Sequence, residues 1–178
     1  MNIKTNSKRL YLREFTSNDW QQVHIYASRD EVCQYQVWGP NTTDETKEFI
    51  NQALADIDKH PRSRFSLAII CNGYLIGSVE LTITDEKYGT AEIGYVINPS
   101  YWGKGYATEA TRLIVDWGFK EFGFHRIFAT CDPRNKASAR VLGKIGMVRE
   151  GRIREHIRLK EGWRDSYLYS VLDREWKF

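Results

Sequence analysis

The residues that could do chemistry gather first at Tyr101-Trp102-Gly103-Lys104-Gly105-Tyr106-Ala107-Thr108-Glu109-Ala110. They follow an apolar run, Ala91 to Ile97, and an Asn98-Pro99 break. Ala107, Ala110, Ile114, Trp117 and Gly118 then recur three or four apart, so the stretch reads as strand, tight turn and helix N-terminus. Gly103 and Gly105 leave backbone N–H groups uncovered in front of the positive end of a helix dipole, which is a seat for phosphate or pyrophosphate. A dinucleotide fingerprint would need Gly or Ala where Thr108 stands, and belongs earlier in the chain. A Walker loop would need Ser or Thr after Gly-Lys, and Gly143-Lys144 is followed by Ile145.

Two further groups could act near that seat. Glu92 is a carboxylate in an otherwise apolar strand, and charges are seldom buried there without partner or purpose. Strand alternation puts Glu92, Gly94 and Val96 on one face. Glu92 is therefore a candidate general base, against the alternative of an exposed strand start paired with a surface Lys or Arg. The other group is Asp132 to Met147, which follows the apolar strand Arg126–Cys131. It opens with Asn135, a helix cap that could also meet a ligand, and carries Ser138 three residues on.

Taken together these segments resemble the GNAT N-acetyltransferases. Trp102-Gly103-Lys104-Gly105-Tyr106-Ala107 is similar to the family's Gln/Arg-x-x-Gly-x-Gly/Ala loop, with Trp in the first place. Asn135 to Met147 is similar to its Asn-x-x-Ser/Ala helix ending in Lys-x-Gly-Phe. Lys8 to Arg13 and Trp38-Gly39-Pro40 resemble the RimJ/RimL branch, which acetylates ribosomal-protein N-termini.

The resemblance implies a set of roles. Acetyl-CoA would be the acyl donor, with its pyrophosphate on the backbone of Trp102 to Thr108 and with Lys104 as a nearby charge. The pantetheine arm would lie between two splayed strands, against the backbone of Tyr95, Val96 and Ile97, with Asn135 and Ser138 facing it. Glu92 would be the base, and Ser138 would protonate or hydrogen-bond the departing thiolate. Many relatives carry Tyr seven residues after the Asn, where this chain has Leu142. The acceptor site would lie over Tyr35–Pro40, the second helix and the Lys160–Trp163 hairpin, with Trp38 and Trp163 as walls and Glu155 as an assisting carboxylate. The implied reaction is direct acetyl transfer to a primary amine, such as a ribosomal-protein N-terminus. A small amine (a polyamine or an antibiotic) is the alternative acceptor. A silent CoA-binding regulatory domain is the reading from another class, and Leu142 is its one support.

The elements that must position these groups follow from the pattern. Arg9–Phe15 reads as a strand, and a helix after Thr16 turns Trp20, Val23, His24 and Ala27 inward. Thr42-Thr43-Asp44-Glu45 is a capping box opening a helix with Phe49, Ile50, Ala53, Leu54 and Ile57 on one face. Asn72-Gly73 is a hairpin turn between Phe65–Cys71 and Tyr74–Thr84. The expected architecture is α+β: a mostly antiparallel sheet of about seven strands with about four helices. A strand–helix–strand crossover makes Ala91–Ile97 and Arg126–Cys131 its one parallel pair, splayed apart as the family resemblance implies.

At 178 residues the chain is one domain with room for a core. A formal charge of +3 is too small to argue for nucleic acid, and the late cluster Arg149, Arg152, Arg154, Arg158 reads as a solvated strand face. No stretch reads as a signal peptide or membrane span. Cys33, Cys71 and Cys131 are widely spaced and lack Cys-x-x-Cys, which fits a reducing cytoplasm. His24, His60, His125 and His156 show no ligand spacing, so no metal is expected. A monomer or a homodimer is expected.

Overall fold

The computed structural model describes residues 5–159 and 162–177. Lys160 and Glu161, part of the stretch expected over the acceptor site, lie outside them. The sheet has eight strands: β1 Thr5–Asn6, β2 Leu10–Glu14, β3 Arg64–Cys71, β4 Tyr74–Asp85, β5 Thr90–Ile97, β6 Arg126–Cys131, β7 Val148–Leu159 and β8 Gly162–Leu172. Their spatial order is β1-β2-β3-β4-β5-β6-β8-β7. Among the described residues every strand pairing is antiparallel except β5 with β6. The mixed fold with one parallel pair is therefore as expected. The two-residue β1 and the four-residue helix α2 (Asp30–Cys33) are additions, each too short to leave a periodic pattern.

The sheet is covered on both faces. α1 (Trp20–Ala27), α2 and α3 (Thr43–Ile57) pack on one face through Val23, Tyr26, Val32, Ile50 and Ala53. On the other face α4 (Tyr106–Phe122) and α5 (Lys136–Lys144) bring Ala110, Ile114, Val115 and Leu142 against Leu67, Ile69, Leu81 and Ile127. β3 feeds both layers: Phe65, Leu67 and Ile69 point to α4, Ala68 and Ile70 to α1 and α3. That is why its sequence is apolar without alternation.

Local signals close the elements where the sequence places them. The Thr42 hydroxyl accepts from the Glu45 N–H at 3.2 Å, and the Glu45 carboxylate accepts from the Thr42 N–H at 2.7 Å. Asn72 and Gly73 both have positive φ (49° and 81°), the paired left-handed geometry of a two-residue hairpin. Gly123, at φ 63°, ends α4.

Candidate active site

The parallel pair is short. Thr90, Ala91 and Glu92 pair with Arg126, Ile127 and Phe128, and beyond them no pairing joins the strands, although β5 runs to Ile97 and β6 to Cys131. A gap thus opens in the middle of the sheet. The β4–β5 register is regular from Gly77↔Ile97 to Ile83↔Ala91, so β5 alternates without a bulge there. Glu92, Gly94 and Val96 face α1–α3, and Ile93, Tyr95 and Ile97 face α4–α5.

Backbone direction sorts the three residues expected along the pantetheine. The Val96 carbonyl points at Gly77 of β4, close enough that a Cβ there would meet it at 2.2 Å. By alternation, the backbone groups of Tyr95 and Ile97 point into the gap and those of Val96 do not. The gap-facing donors and acceptors are therefore those of Tyr95 and its neighbours two residues away.

The glycine loop stands at the end of β5 on the α4 side. Gly103 and Gly105 take positive φ (74° and 81°), which L side chains rarely adopt. A Cβ at Gly103 would meet nothing within 4 Å. No side chain caps the start of α4, so the N–H groups of Tyr106, Ala107 and Thr108 begin a 17-residue helix with no capping acceptor from the N-cap residue. This cradle suits a pyrophosphate. Trp102, in the family's Gln/Arg place, donates its indole N–H to the Ile97 carbonyl at 2.7 Å, tying the loop to β5. The Lys104 ammonium donates to the Ser100 carbonyl at 3.0 Å and lies over the Tyr101 ring.

Arg9, which the sequence did not single out, braces the loop. It donates to the Lys104 carbonyl at 3.1 Å and to Glu109 in the first turn of α4, and Ser7 also bonds Glu109. Burial pushes the Glu109 carboxyl up, but the Ser7 hydroxyl and the Arg9 guanidinium outweigh it and hold the group below the usual range. A charged carboxylate beside an anion seat is thereby neutralised by its partner.

Asn135 caps α5, its side-chain oxygen accepting from the Ser138 N–H at 2.9 Å. The Ser138 hydroxyl meets the Tyr95 hydroxyl at 2.9 Å, and the Tyr95 hydroxyl also donates to the Ser138 carbonyl at 3.2 Å. The contact joins the gap-facing strand β5 to the N-terminus of α5. Leu142 is 0 % exposed in the core beside Ile145 and Met147.

On the opposite face lies a groove of about 940 Å³. Its walls are the Gln36–Asn41 loop, the outer side of α3, and the sheet from Arg64 to Val96. Asp44, Glu45, Glu48 and Glu80 line it, with Arg64 as the one guanidinium among the lining residues. Glu80 is bound by Arg64 and by the Ser66 hydroxyl, and Glu45 serves the α3 cap. Asp44 and Glu48 stand one turn apart on the wall. Glu92 lies one pleat beyond Gly94. Burial raises its carboxyl pKa and Glu80 adds to this, while the Thr130 hydroxyl at 3.3 Å and the charge of His156 act against it. A carboxyl whose pKa is raised towards neutrality by burial is suited to accept a proton from an amine in the adjoining groove.

The structure brings Glu92, Tyr95, Asn135 and Ser138 to the gap, and Trp38 to the groove wall. It places the other two acceptor-side residues elsewhere. Trp163 is 56 % exposed on β8, under the guanidinium of Arg158. Glu155 has φ 48° and donates its N–H to Asp165, and it is the next residue, His156, whose charge reaches Glu92. Glu80, Arg64 and Arg9 were missed. Glu80 carried the same signal as Glu92, a carboxylate inside an apolar strand.

Among the described residues no cluster of His, Cys, Asp or Glu is arranged to hold a metal, and no helix is long and apolar enough to cross a membrane.

The chain as a whole is similar to known proteins. A family model described as the acetyltransferase (GNAT) domain matches residues 9–148. The chain is 41% identical over 178 residues to the uncharacterized N-acetyltransferase YnaD of Bacillus subtilis, covering 99% of each. It is 25% identical over 165 residues to the spermidine N(1)-acetyltransferase of Escherichia coli, covering 93% of this chain and 87% of that one. The crystal structure of a GNAT-family acetyltransferase from Bacillus anthracis superposes with a TM-score of 0.86 at 37% identity, covering 97% of this chain and 99% of that one. The chain belongs to the GNAT acetyltransferase family, and is an acetyl-CoA-dependent N-acetyltransferase.

Proposed function

We propose that the acceptor is a primary amine carrying further positive charge, of the polyamine type, bound in the carboxylate-lined groove. One observation carries this reading. The glycine loop opens on the α4–α5 face, the groove opens on the α1–α3 face, and the gap between β5 and β6 connects them. A donor seated on the loop would reach through the sheet to an amine lying against Gly94.

Acetyl-CoA supplies an activated acyl carbon when bound; the rest falls to the chain. The N–H groups of Gly103 to Thr108 hold the pyrophosphate. Backbone groups of Tyr95 and Ile97 align the arm as an added strand would. Glu92, and not a group on the β7–β8 hairpin, draws the proton from the amine, across the one-pleat distance by way of solvent. Ser138 faces the leaving sulfur. On the acceptor side, Asp44 and Glu48 offer charge to a second ammonium, while Glu80 is already matched by Arg64. The spermidine N(1)-acetyltransferase relative agrees with such an acceptor, as does the excess of carboxylates over guanidinium on the wall.

A second reading, transfer to a protein N-terminus as in the RimJ/RimL branch, is favoured by the groove's open side at Val37, which is 63 % exposed. The test is thiol release with spermidine and with ribosomal N-terminal peptides, repeated on Asp44→Asn/Glu48→Gln. The polyamine reading expects spermidine to be the better substrate and the double variant to raise its KM about ten-fold. A preference for peptides, with KM unmoved in the variant, would replace it by the second reading.

A further inference from the structure

The position at which many relatives carry a tyrosine is filled here by Leu142, sealed in the core. A hydroxyl nonetheless reaches the start of the same helix, from another element. Tyr95 projects from β5 across the gap and bonds both the hydroxyl and the carbonyl of Ser138. We propose that Tyr95 is a positioning residue that orients the Ser138 hydroxyl towards the departing sulfur of CoA.

The geometry carries the inference through a count of donors and acceptors. Tyr95 and Ser138 have one hydroxyl proton each. The Tyr95 proton has two acceptors in reach, the Ser138 hydroxyl and the Ser138 carbonyl. When Tyr95 donates to the Ser138 hydroxyl, the Ser138 proton must go elsewhere. Cys131 of β6 is its neighbour on the far side of the gap, and the space between the strands is where the resemblance puts the thioester. A thiolate forming there is a stronger acceptor than a neutral thiol, so the pair turns as a unit and donates to it. No proton needs to leave Tyr95, and burial keeps it protonated well above the ordinary tyrosine value. Without the Tyr95 hydroxyl, the Ser138 proton is free to turn away from the gap.

The surroundings bear on the test. Cys131 on β6 and Tyr169 on β8 face Tyr95, and Asp132, held by Arg134, and Arg164 lie behind Cys131. Burial holds the Cys131 thiol up, so it contributes little thiolate near neutral pH. The inference rests on the donor-site reading above.

The experiment binds free CoA to wild type, Tyr95→Phe, Ser138→Ala and the double variant. The ultraviolet thiolate absorbance of each complex is followed against pH, with the spectrum of free protein subtracted, and affinity is measured by calorimetry. Tyr95→Phe is expected to keep CoA affinity within about two-fold and to raise the midpoint of the bound thiol by about one unit, the size of one hydrogen bond to a charged sulfur. Ser138→Ala should match it, and the double variant should add nothing, since the hydroxyls act as one. Turnover should fall about ten-fold in all three. Tyr95→Phe with the wild-type midpoint, whether or not Ser138→Ala shifts, overturns the inference and leaves the donor site standing. Failure of wild type to bind CoA overturns the donor site and the inference with it.

Discussion

Gly77 is where the fold and the donor site can be pulled on together. Its φ is one that any residue adopts, so an alanine there is not strained by its own backbone. The difficulty is across the strand pair. A Cβ at position 77 would lie 2.2 Å from the Val96 carbonyl oxygen, 3.0 Å from the Ile97 Cα and 3.1 Å from its Cδ1. Real contacts of this kind begin near 3.0–3.4 Å, so β5 must retreat by about 1 Å. The two nearest obstructing atoms are backbone and cannot swing aside. Overpacking of this order costs about 1–3 kcal/mol, which in a domain of this size lowers Tm by roughly 2–12 °C. The direction matters as much as the cost. β4 lies on one side of β5 and the gap on the other, so β5 moves into the gap. A misplacement of about 1 Å in a binding segment costs up to about a hundred-fold, so Gly77→Ala should weaken acetyl-CoA binding by about ten- to a hundred-fold in calorimetry. Gly143→Ala is the control: its Cβ would meet nothing within 4 Å on the exposed side of α5, and helix propensity should add about 0.5–1 kcal/mol of stability with affinity unchanged. If Gly77→Ala loses stability but binds acetyl-CoA as wild type does, the gap does not hold the donor.

Other perturbations address single groups. Gly105→Glu puts a β-carbon on a backbone at φ 81° and a carboxylate in the anion seat, so acetyl-CoA binding should fall more than about a hundred-fold; wild-type affinity would remove the loop from the site. Glu92 has a raised pKa, from burial first, so its neutral form favours the fold at low pH and that contribution is lost as pH rises through the folded pKa. Activity runs the other way, rising with pH as the carboxylate forms. Glu92→Gln should therefore flatten the acid limb of kcat/KM, spare CoA affinity and gain slightly in stability near neutral pH; an unchanged limb would acquit Glu92 as the base.

Local signals were legible in the sequence, and long-range ones were not. The glycine loop, the Asn72-Gly73 hairpin and the Thr42 cap each depend on neighbours within a few residues, so their chemistry is written in one short string. The parallel pair was legible because a crossover helix permits little else. Tyr95 shows the limit. Alternation placed its side chain opposite Glu92, but its partner Ser138 is 43 residues away, and only tertiary packing says which hydroxyl it meets. Glu155 shows another. β7 slips register between Ile153 and Ile157, so the alternation that would orient Glu155 fails there, and it is His156 whose electrostatic effect reaches Glu92. The acidity of the groove was hidden for the same reason: Asp44 and Glu48 belong to a helix and Glu80 to a strand, and they share a wall only once α3 lies over β3 and β4.

The gap itself is the feature that most needs a physical account. Two strands in the middle of a sheet, each with its outer edge satisfied by β4 or β8, stop pairing with each other after Glu92 and Phe128. Backbone groups left unpaired away from water cost about 1–3 kcal/mol each, so a protein does not hold such an edge open without a use for it. Here the opening is braced on both sides. Trp102 takes the Ile97 carbonyl at the wide end, and the Tyr95–Ser138 contact spans the middle. What remains is a short run of donors and acceptors on β5, a strand's width across, leading from an uncapped helix N-terminus on one face to carboxylates on the other. On the proposed reading, an extended amide chain with a phosphate at one end and a reactive acyl group at the other would lie along that run. An amine arriving from the opposite face meets only the acyl end. On that reading, the same splay that costs the sheet its continuity separates donor from acceptor until they meet at Gly94.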